Sequence, residues 1–276
     1  MEQADRELIE AARAGDRGAL DLLLVRHQQR VYRFGLKMCR DAEDAKDVLQ
    51  DTLLAAARGV RDFRGGASLS TWLYTIARSF CIKKRRRSKF APAAEESLDA
   101  GPRSEAQRVP DPARSPEASL EGRQIEAALE RAIGELDPMY REVLVLRDVE
   151  GLTAPEVAEV LELSVDAVKS RLHRARVAVR EKVAPLLGIP EPSAATDAPC
   201  PDVLELFSRH MEGEISSDVC ADMEQHLARC PRCRSRCDSL KKTLFLCKSS
   251  PAPVVPAPVQ ASVRAALKRL LEGGAG

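Results

Sequence analysis

Apolar positions recur at spacings of three and four along most of the chain, which predicts helices with one buried stripe. The stripe is cleanest between Leu152 and Lys182. Thr153-Ala154-Pro155-Glu156 sets a Thr three residues ahead of a Glu with Pro in the first turn, a capping box at a helix start. Val157, Val160 and Leu161 follow, Glu162-Leu163 breaks the run, and Ser164 is placed to cap a second helix with an inner face of Val165, Val168, Leu172, Ala175 and Val179. The outer face carries Lys169, Ser170, Arg171, His173, Arg174 and Arg176. Two helices joined by a short turn, the second basic outward, read as a helix-turn-helix whose second helix can enter a major groove.

Upstream, Leu8, Ala11, Leu20, Leu23, Leu24, Val31, Phe34 and Met38 predict helix over residues 5–38, interrupted at Gly15-Asp16. A second helix starts at Asp41 with Ala45, Val48, Leu49, Thr52 and Leu53 inward. Asp41, Glu43, Asp44, Asp47 and Asp51 crowd its start; the helix dipole favours some of them, but so many exceed what capping needs and suggest a protein-docking face. After Gly65-Gly66, Ser68 or Ser70 can cap a third helix holding Trp72, Leu73, Ile76, Ala77 and Phe80, which runs into Lys83-Lys84-Arg85-Arg86-Arg87-Ser88-Lys89. Such a block attracts phosphates and releases counterions on binding, whereas Trp72 taken alone reads as a core residue. Residues 91–119 lose periodicity and read as a linker. Helices follow at Leu120–Leu136 and Met139–Asp148, separated by Asp137-Pro138, and residues 188–199 form a second linker. A Pro- and Ala-rich tail ends in an amphipathic piece (Val263, Ala266, Leu267, Leu270, Leu271) that is expected to dock on a neighbour the sequence does not name.

Composition supports an all-α fold: aromatics are 4% and charged residues 31% of 276 residues, while the net charge of +1 averages basic and acidic stretches. No apolar run is long enough for a membrane span, and Met1-Glu2-Gln3-Ala4-Asp5 does not open a signal peptide. The expectation is a cytoplasmic protein with no membrane partner and reduced cysteines, so clustered thiols read as metal or redox ligands. No Ser/His/Asp set, phosphate loop or paired-carboxylate site emerges, which argues against an enzyme.

Six of the eight cysteines lie in residues 200–248. Cys200 followed by His226, Cys230 and Cys233 is a three-Cys, one-His set suited to tetrahedral zinc. His226 and Cys230 stand one helical turn apart, and Pro231 opens a new helix with Cys230 and Cys233 at its N-terminus, where a thiolate is favoured. Cys220, Cys237 and Cys247 could enlarge the site; soft thiolates suit zinc, cadmium and copper(I) alike. A segment of about fifty residues with few large apolar groups rarely folds unaided, and a thiolate metal site can contribute roughly 10–16 kcal/mol. Cys39 and Cys81 read as isolated packing residues, His27 as structural or exposed, and His210 as a spare ligand.

Asp41-Ala42-Glu43-Asp44, Gln50-Asp51, Phe63-Arg64-Gly65 and Thr71-Trp72-Leu73-Tyr74-Thr75-Ile76-Ala77-Arg78 resemble the second domain of extracytoplasmic-function sigma factors. Leu136-Asp137-Pro138, Arg141-Glu142-Val143-Leu144 and Val168-Lys169-Ser170-Arg171-Leu172-His173-Arg174-Ala175-Arg176 resemble the fourth domain of the same group. The chain departs from the family at Ser79 and Lys83, and at Leu53, Leu54 and Ala57. The resemblance implies sigma region 2 at 1–90, region 4 at 120–187, and core RNA polymerase and promoter DNA as partners. It places Asp44, Asp47, Gln50 and Asp51 toward polymerase, and Trp72, Lys83, Lys84, Arg85 and Arg86 toward the −10 strand. Lys169, Ser170, Arg171, Arg174 and Arg176 would face the −35 groove. The Cys-rich segment 200–248, ahead of the tail 249–276, resembles a zinc-binding anti-sigma domain fused in cis, as in CorE-type sigma factors. That implies a metal-switched sigma factor for metal-resistance or homeostasis genes, with no separate anti-sigma factor required. A thiol-redox sigma factor and a polymerase-independent DNA-binding regulator with a structural zinc domain remain alternatives.

Overall fold

The computed structural model describes residues 2–90, 116–190, 200–250 and 253–273. All regular structure among them is helical. Linker residues 91–115 and 191–199, and the side chains of Arg87, Ser88, Lys89, Leu120 and Leu271, lie outside the described set. No described helix is long and apolar enough to cross a membrane. The chain forms two compact units, residues 1–112 with 251–276, and residues 113–250.

In the first unit, α1 (Glu2–Arg13) and α2 (Arg17–Cys39) are separated where the sequence breaks at Gly15-Asp16. The Asp16 carboxylate accepts from the Gly18 and Ala19 amides at 2.8 and 3.0 Å, satisfying donors the helix leaves open. Arg40, left-handed at φ 64°, ends α2, and Asp41 caps α3 (Ala42–Gly59) by accepting from the Asp44 amide at 2.8 Å. Ser68 caps α4 (Leu69–Phe90), accepting from the Thr71 amide at 3.1 Å. The core joins Leu23, Val31 and Phe34 of α2 to Val48, Leu49 and Leu53 of α3 and Leu73, Tyr74 and Ala77 of α4. Gly35 lets α2 and α3 approach closely, since a Cβ there would stand 3.3 Å from the Ala45 backbone.

The amphipathic tail piece is α12 (Ala257–Gly273), and its neighbour is α3 of this same unit. Val255, Val263 and Leu267 are buried, and the Ser262 hydroxyl donates to Gln50 Oε1 at 3.0 Å.

His27 is buried, with Nε2 3.2 Å from an Asp5 oxygen, while Arg26 donates to the other oxygen at 2.5 Å. Burial lowers the His27 pKa below its ordinary 6.5, outweighing the raising effect of Asp5. The unfolded chain therefore takes up this proton more readily than the folded one. Stability contributed here is present above about pH 6.5 and declines as pH falls from there toward the folded pKa. Urea midpoints of the full chain at pH 7.5 and 5.5 are expected to fall at the lower pH, and His27→Gln to shrink the difference; an unchanged difference would assign it to other groups.

In the second unit α5 (Pro116–Glu135), α6 (Pro138–Leu144), α7 (Ala154–Leu161) and α8 (Val165–Val183) form the helix-turn-helix body. The capping box is complete: Thr153 Oγ1 accepts from the Glu156 amide, and Glu156 Oε2 accepts from the Thr153 amide at 2.8 Å. Glu162 turns the chain with φ 57°, and Ser164 caps α8 by accepting from the Ala167 amide at 3.2 Å. Val157, Val160, Val168, Leu172, Ala175 and Val179 are all buried, with Val165 only partly so. The helix predicted over Met139–Asp148 widens into a π turn at Val145–Val149, and this wider turn carries Asp148 to the buried side.

The same unit holds α9 (Val203–Met211), α10 (Ser217–Arg229) and α11 (Pro231–Ser249). Asp202 and Ser216 cap α9 and α10. One small core contains Val203, Cys230, Cys233 and Cys237. Another contains Leu204, Leu240 and Leu244 with Val177 of α8 packed against it, so α9 and α11 lean on α8.

Candidate metal centre and nucleic-acid interface

Cys200, His226, Cys230 and Cys233 bring their donor atoms within 4.8 Å of one another. The Cys200 and Cys230 sulfurs are 3.9 Å apart, close to the roughly 3.8 Å that a tetrahedral zinc with Zn–S bonds of about 2.3 Å would impose. His226 Nε2 is buried with no hydrogen-bond partner among the described residues, the state of a ligand nitrogen reserved for an ion. Local folding explains the convergence. Cys200 precedes the α9 cap; His226 and Cys230 end α10, with the Cys230 amide donating to the His226 carbonyl at 2.9 Å; Cys233 lies in the first turn of α11. Arg234 donates to the Leu227 and Ala228 carbonyls at 3.0 and 2.6 Å and closes the α10–α11 corner.

The expected thiolate at this helix N-terminus is overridden at Cys233. Burial, then hydrogen bonding and charge from Cys200 and Cys230, push its pKa up to about 12. A soft cation reverses that balance by replacing the thiol protons with positive charge.

Of the seven proposed ligands, four share this group. Cys237, raised chiefly by burial, donates to the Val203 carbonyl at 3.7 Å beneath it, and Cys247 is buried farther along α11. Cys220 instead meets His210, Sγ to Nδ1 3.1 Å, so these two pair apart from the four.

On α8, Ser170 and Arg174 are exposed and Lys169 and Arg171 partly so, but Arg176 is not. The groove-facing role read for Arg176 is corrected: its side chain is fully buried. Its guanidinium donates two bonds to the Asp148 carboxylate at 2.7 and 2.8 Å, one to Glu212 at 2.8 Å and one to the Ser208 hydroxyl at 2.9 Å. Burial works against the Arg176 charge, yet Asp148 and Glu212 outweigh it and hold the pKa above its ordinary value. Glu212 also accepts from Arg147 at 3.0 Å, and Arg180 donates to Ser239 at 2.7 Å. Lys169 pairs with Glu214 at 2.6 Å. The α9–α10 loop thus lays two carboxylates against the basic side of α8. Asp148, Glu212 and Glu214 were missed in the sequence, where acids at unremarkable spacing gave no signal.

In the first unit, Lys84 bridges Asp44, at 3.2 Å, and Asp47. It therefore pairs with two acids expected to face polymerase. Lys83, Arg85 and Arg86 are exposed, and Lys83 lies 4.8 Å over the Phe80 ring. Trp72 is partly buried with its ring centroid 5.0 Å from Phe63. Gln50 and Asp51 are partly buried, Gln50 under α12. Cys39 and Cys81, expected to be isolated, stand 3.5 Å apart sulfur to sulfur.

Family models agree with this anatomy. "Sigma-70 region 2" matches residues 23–90 and "Sigma-70, region 4" residues 126–179. A family described as "Putative zinc-finger" matches residues 200–234, which span the four-donor group. The class so defined is a sigma-70-type transcription factor carrying a zinc-finger-like segment. The RNA polymerase sigma-H factor of Pseudomonas aeruginosa is 31% identical over 67% of this chain and 97% of its own length. The ECF RNA polymerase sigma factor SigM of Mycobacterium tuberculosis H37Rv is 35% identical over 68% of this chain and 86% of its own. The chain belongs to the extracytoplasmic-function (ECF) sigma factors, proteins that direct transcription by RNA polymerase on promoter DNA. Among solved structures, CnrH in complex with the cytosolic domain of CnrY is similar, with 29% identity, 64% of this chain and 96% of that chain covered, and a TM-score of 0.47.

Proposed function

We propose that the protein is a metal-responsive sigma factor of the CorE type, in which a soft metal ion held by Cys200, His226, Cys230 and Cys233 controls access to the DNA-reading helix α8, and that it serves promoters of metal-resistance or homeostasis genes. One observation carries the reading: the loop bearing Glu212 and Glu214, which pair with Arg176 and Lys169, is strung between α9 and α10, whose far ends carry the metal ligands. An ion at those ends clamps the helical pair and holds the acids on α8, where they occupy charge that DNA phosphates would otherwise take. Loss or exchange of the ion lets the pair splay and frees Lys169 to join the already exposed Ser170 and Arg174, and the partly exposed Arg171, at the −35 groove. Zinc, cadmium and copper(I) all suit the donors. In the first unit, α12 over Gln50 and Lys84 on Asp44 and Asp47 similarly engage the face proposed for core polymerase.

The test is promoter-dependent transcription by core polymerase with the full chain, titrated with zinc, cadmium or copper(I) and with chelator. Glu214→Lys replaces an attraction to Lys169 by a repulsion while leaving all four metal ligands in place, and is expected to raise output several-fold at saturating metal, with at most a matching small loss of metal affinity because the two contacts are coupled. Output insensitive to every metal, or unaltered by Glu214→Lys, would remove the reading.

A further inference from the structure

Cys39 and Cys81 sit 42 residues apart in sequence, on α2 and α4, yet their sulfurs are 3.5 Å apart. A disulfide needs about 2.05 Å, so closure calls for roughly 1.5 Å of movement in total. The local backbone favours it: Cys39 is the last residue of α2, followed by the left-handed Arg40, so the chain there is at a helix end rather than inside a turn of the ladder. Cys39 is partly exposed and Cys81 buried behind it, an arrangement in which one thiol meets an oxidant and the other waits beneath. The hydrogen bond between the thiols, then the nearby Lys84, favour the Cys39 thiolate, against burial, Asp44 and Asp41. None of the four clustered metal donors is involved.

We infer that Cys39 and Cys81 form an oxidant-responsive dithiol within sigma region 2, Cys39 as the attacking thiol and Cys81 as the resolving one, distinct from the C-terminal metal centre. With hydrogen peroxide, the Cys39 sulfur attacks one oxygen, the O–O bond breaks, and hydroxide leaves to become water, giving a sulfenic acid at Cys39. The Cys81 sulfur then attacks Cys39 sulfur, the S–O bond breaks, and the Cys81 proton and the departing hydroxide form a second water. Two thiols lose two electrons and one peroxide gains them. The bond would staple the end of α2 to α4 one turn from Lys84, the residue that bridges α4 to Asp44 and Asp47 of α3.

The experiment uses the full zinc-loaded chain and graded hydrogen peroxide. Differential alkylation and peptide mass spectrometry follow the thiols while a zinc-sensitive dye follows metal release. The expected result is loss of alkylation at both residues together, a Cys39–Cys81 linked peptide, and its reversal by dithiothreitol, at peroxide levels that release little zinc. Cys81→Ser is expected to leave a dimedone-reactive sulfenic acid at Cys39, and Cys39→Ser to abolish both products. Cys39 and Cys81 staying alkylatable after zinc is released, or linking to other cysteines instead, overturns the inference. The unmodified chain alone decides between these outcomes, so the result stands even if either variant folds poorly.

Discussion

Removing metal from the full chain, or replacing Cys233 by Ser, is expected to unravel α9 and α10 while leaving the helix-turn-helix folded. The reason lies in how little else holds those two helices. Only Met223 of α10 is buried, and α9 contributes Val203, Leu204 and Ser208. The core nearest the ligands is itself largely thiol, three cysteines with one valine. Cores this small do not sustain a fold unaided, whereas metal binding at a small thiolate site contributes roughly 10 kcal/mol or more. By contrast, α11 is anchored over much of its length: Ser239, Leu240, Thr243, Leu244 and Cys247 are buried along it, and the core that Leu240 and Leu244 form against Val177 of α8 takes only Leu204 from α9 among its buried members. Unravelling should therefore stop near the start of α11. Hydrogen exchange of the chelated protein should show loss of protection by more than tenfold across 203–229 with protection retained across 168–183 and 240–247. Zinc should restore it in the native chain and fail to do so in Cys233→Ser. Equal protection before and after chelation would mean that the ion contributes little to this fold, and the clamp on Glu212 and Glu214 would lose its basis.

The sequence carried the helices well because their signals are local. Asp16, Asp41, Ser68, Thr153 and Ser164 each cap through an amide two or three residues away, and a stripe such as Val168, Leu172, Ala175 and Val179 needs no knowledge of what covers it. The grouping of Cys200, His226, Cys230 and Cys233 was legible for the same reason, since His226 and Cys230 share a turn and Cys233 follows a helix-opening proline. What escaped were pairings between distant segments. Periodicity shows that a side of α8 is polar, but not that Asp148 and Glu212 would come to cover part of it, so Arg176 looked like a groove contact. Cys39 and Cys81 looked isolated because nothing local states that α2 and α4 cross there. The destination of α12 was open for a like reason: an apolar stripe says that it docks, and only the fold says that it docks on α3.

Arg176→Ala is expected to cost about 3–5 kcal/mol of stability in the second unit, the magnitude found when one partner of a buried ion pair is removed. The side chains of Arg176, Asp148 and Glu212 are 0%, 1% and 4% exposed. Truncation would leave two carboxylates close together with almost no water and without the guanidinium that separates and neutralises them. Arg176→Lys should recover only part of the loss, because an ammonium cannot reproduce the two-point grip on Asp148 while also reaching Glu212 and Ser208. Neutralising the orphaned acid should help far more: Asp148→Asn is destabilising in the native chain and restoring in Arg176→Ala, so the double-mutant cycle should yield a coupling of about 1–3 kcal/mol. Urea unfolding of the four chains measures this directly. A groove-contacting arginine would behave oppositely, with stability nearly unchanged and promoter affinity lost, and would show no coupling to Asp148. A cost below about 0.5 kcal/mol with no coupling would return Arg176 to the DNA face, and with it the view that the α9–α10 loop rests on α8 only loosely.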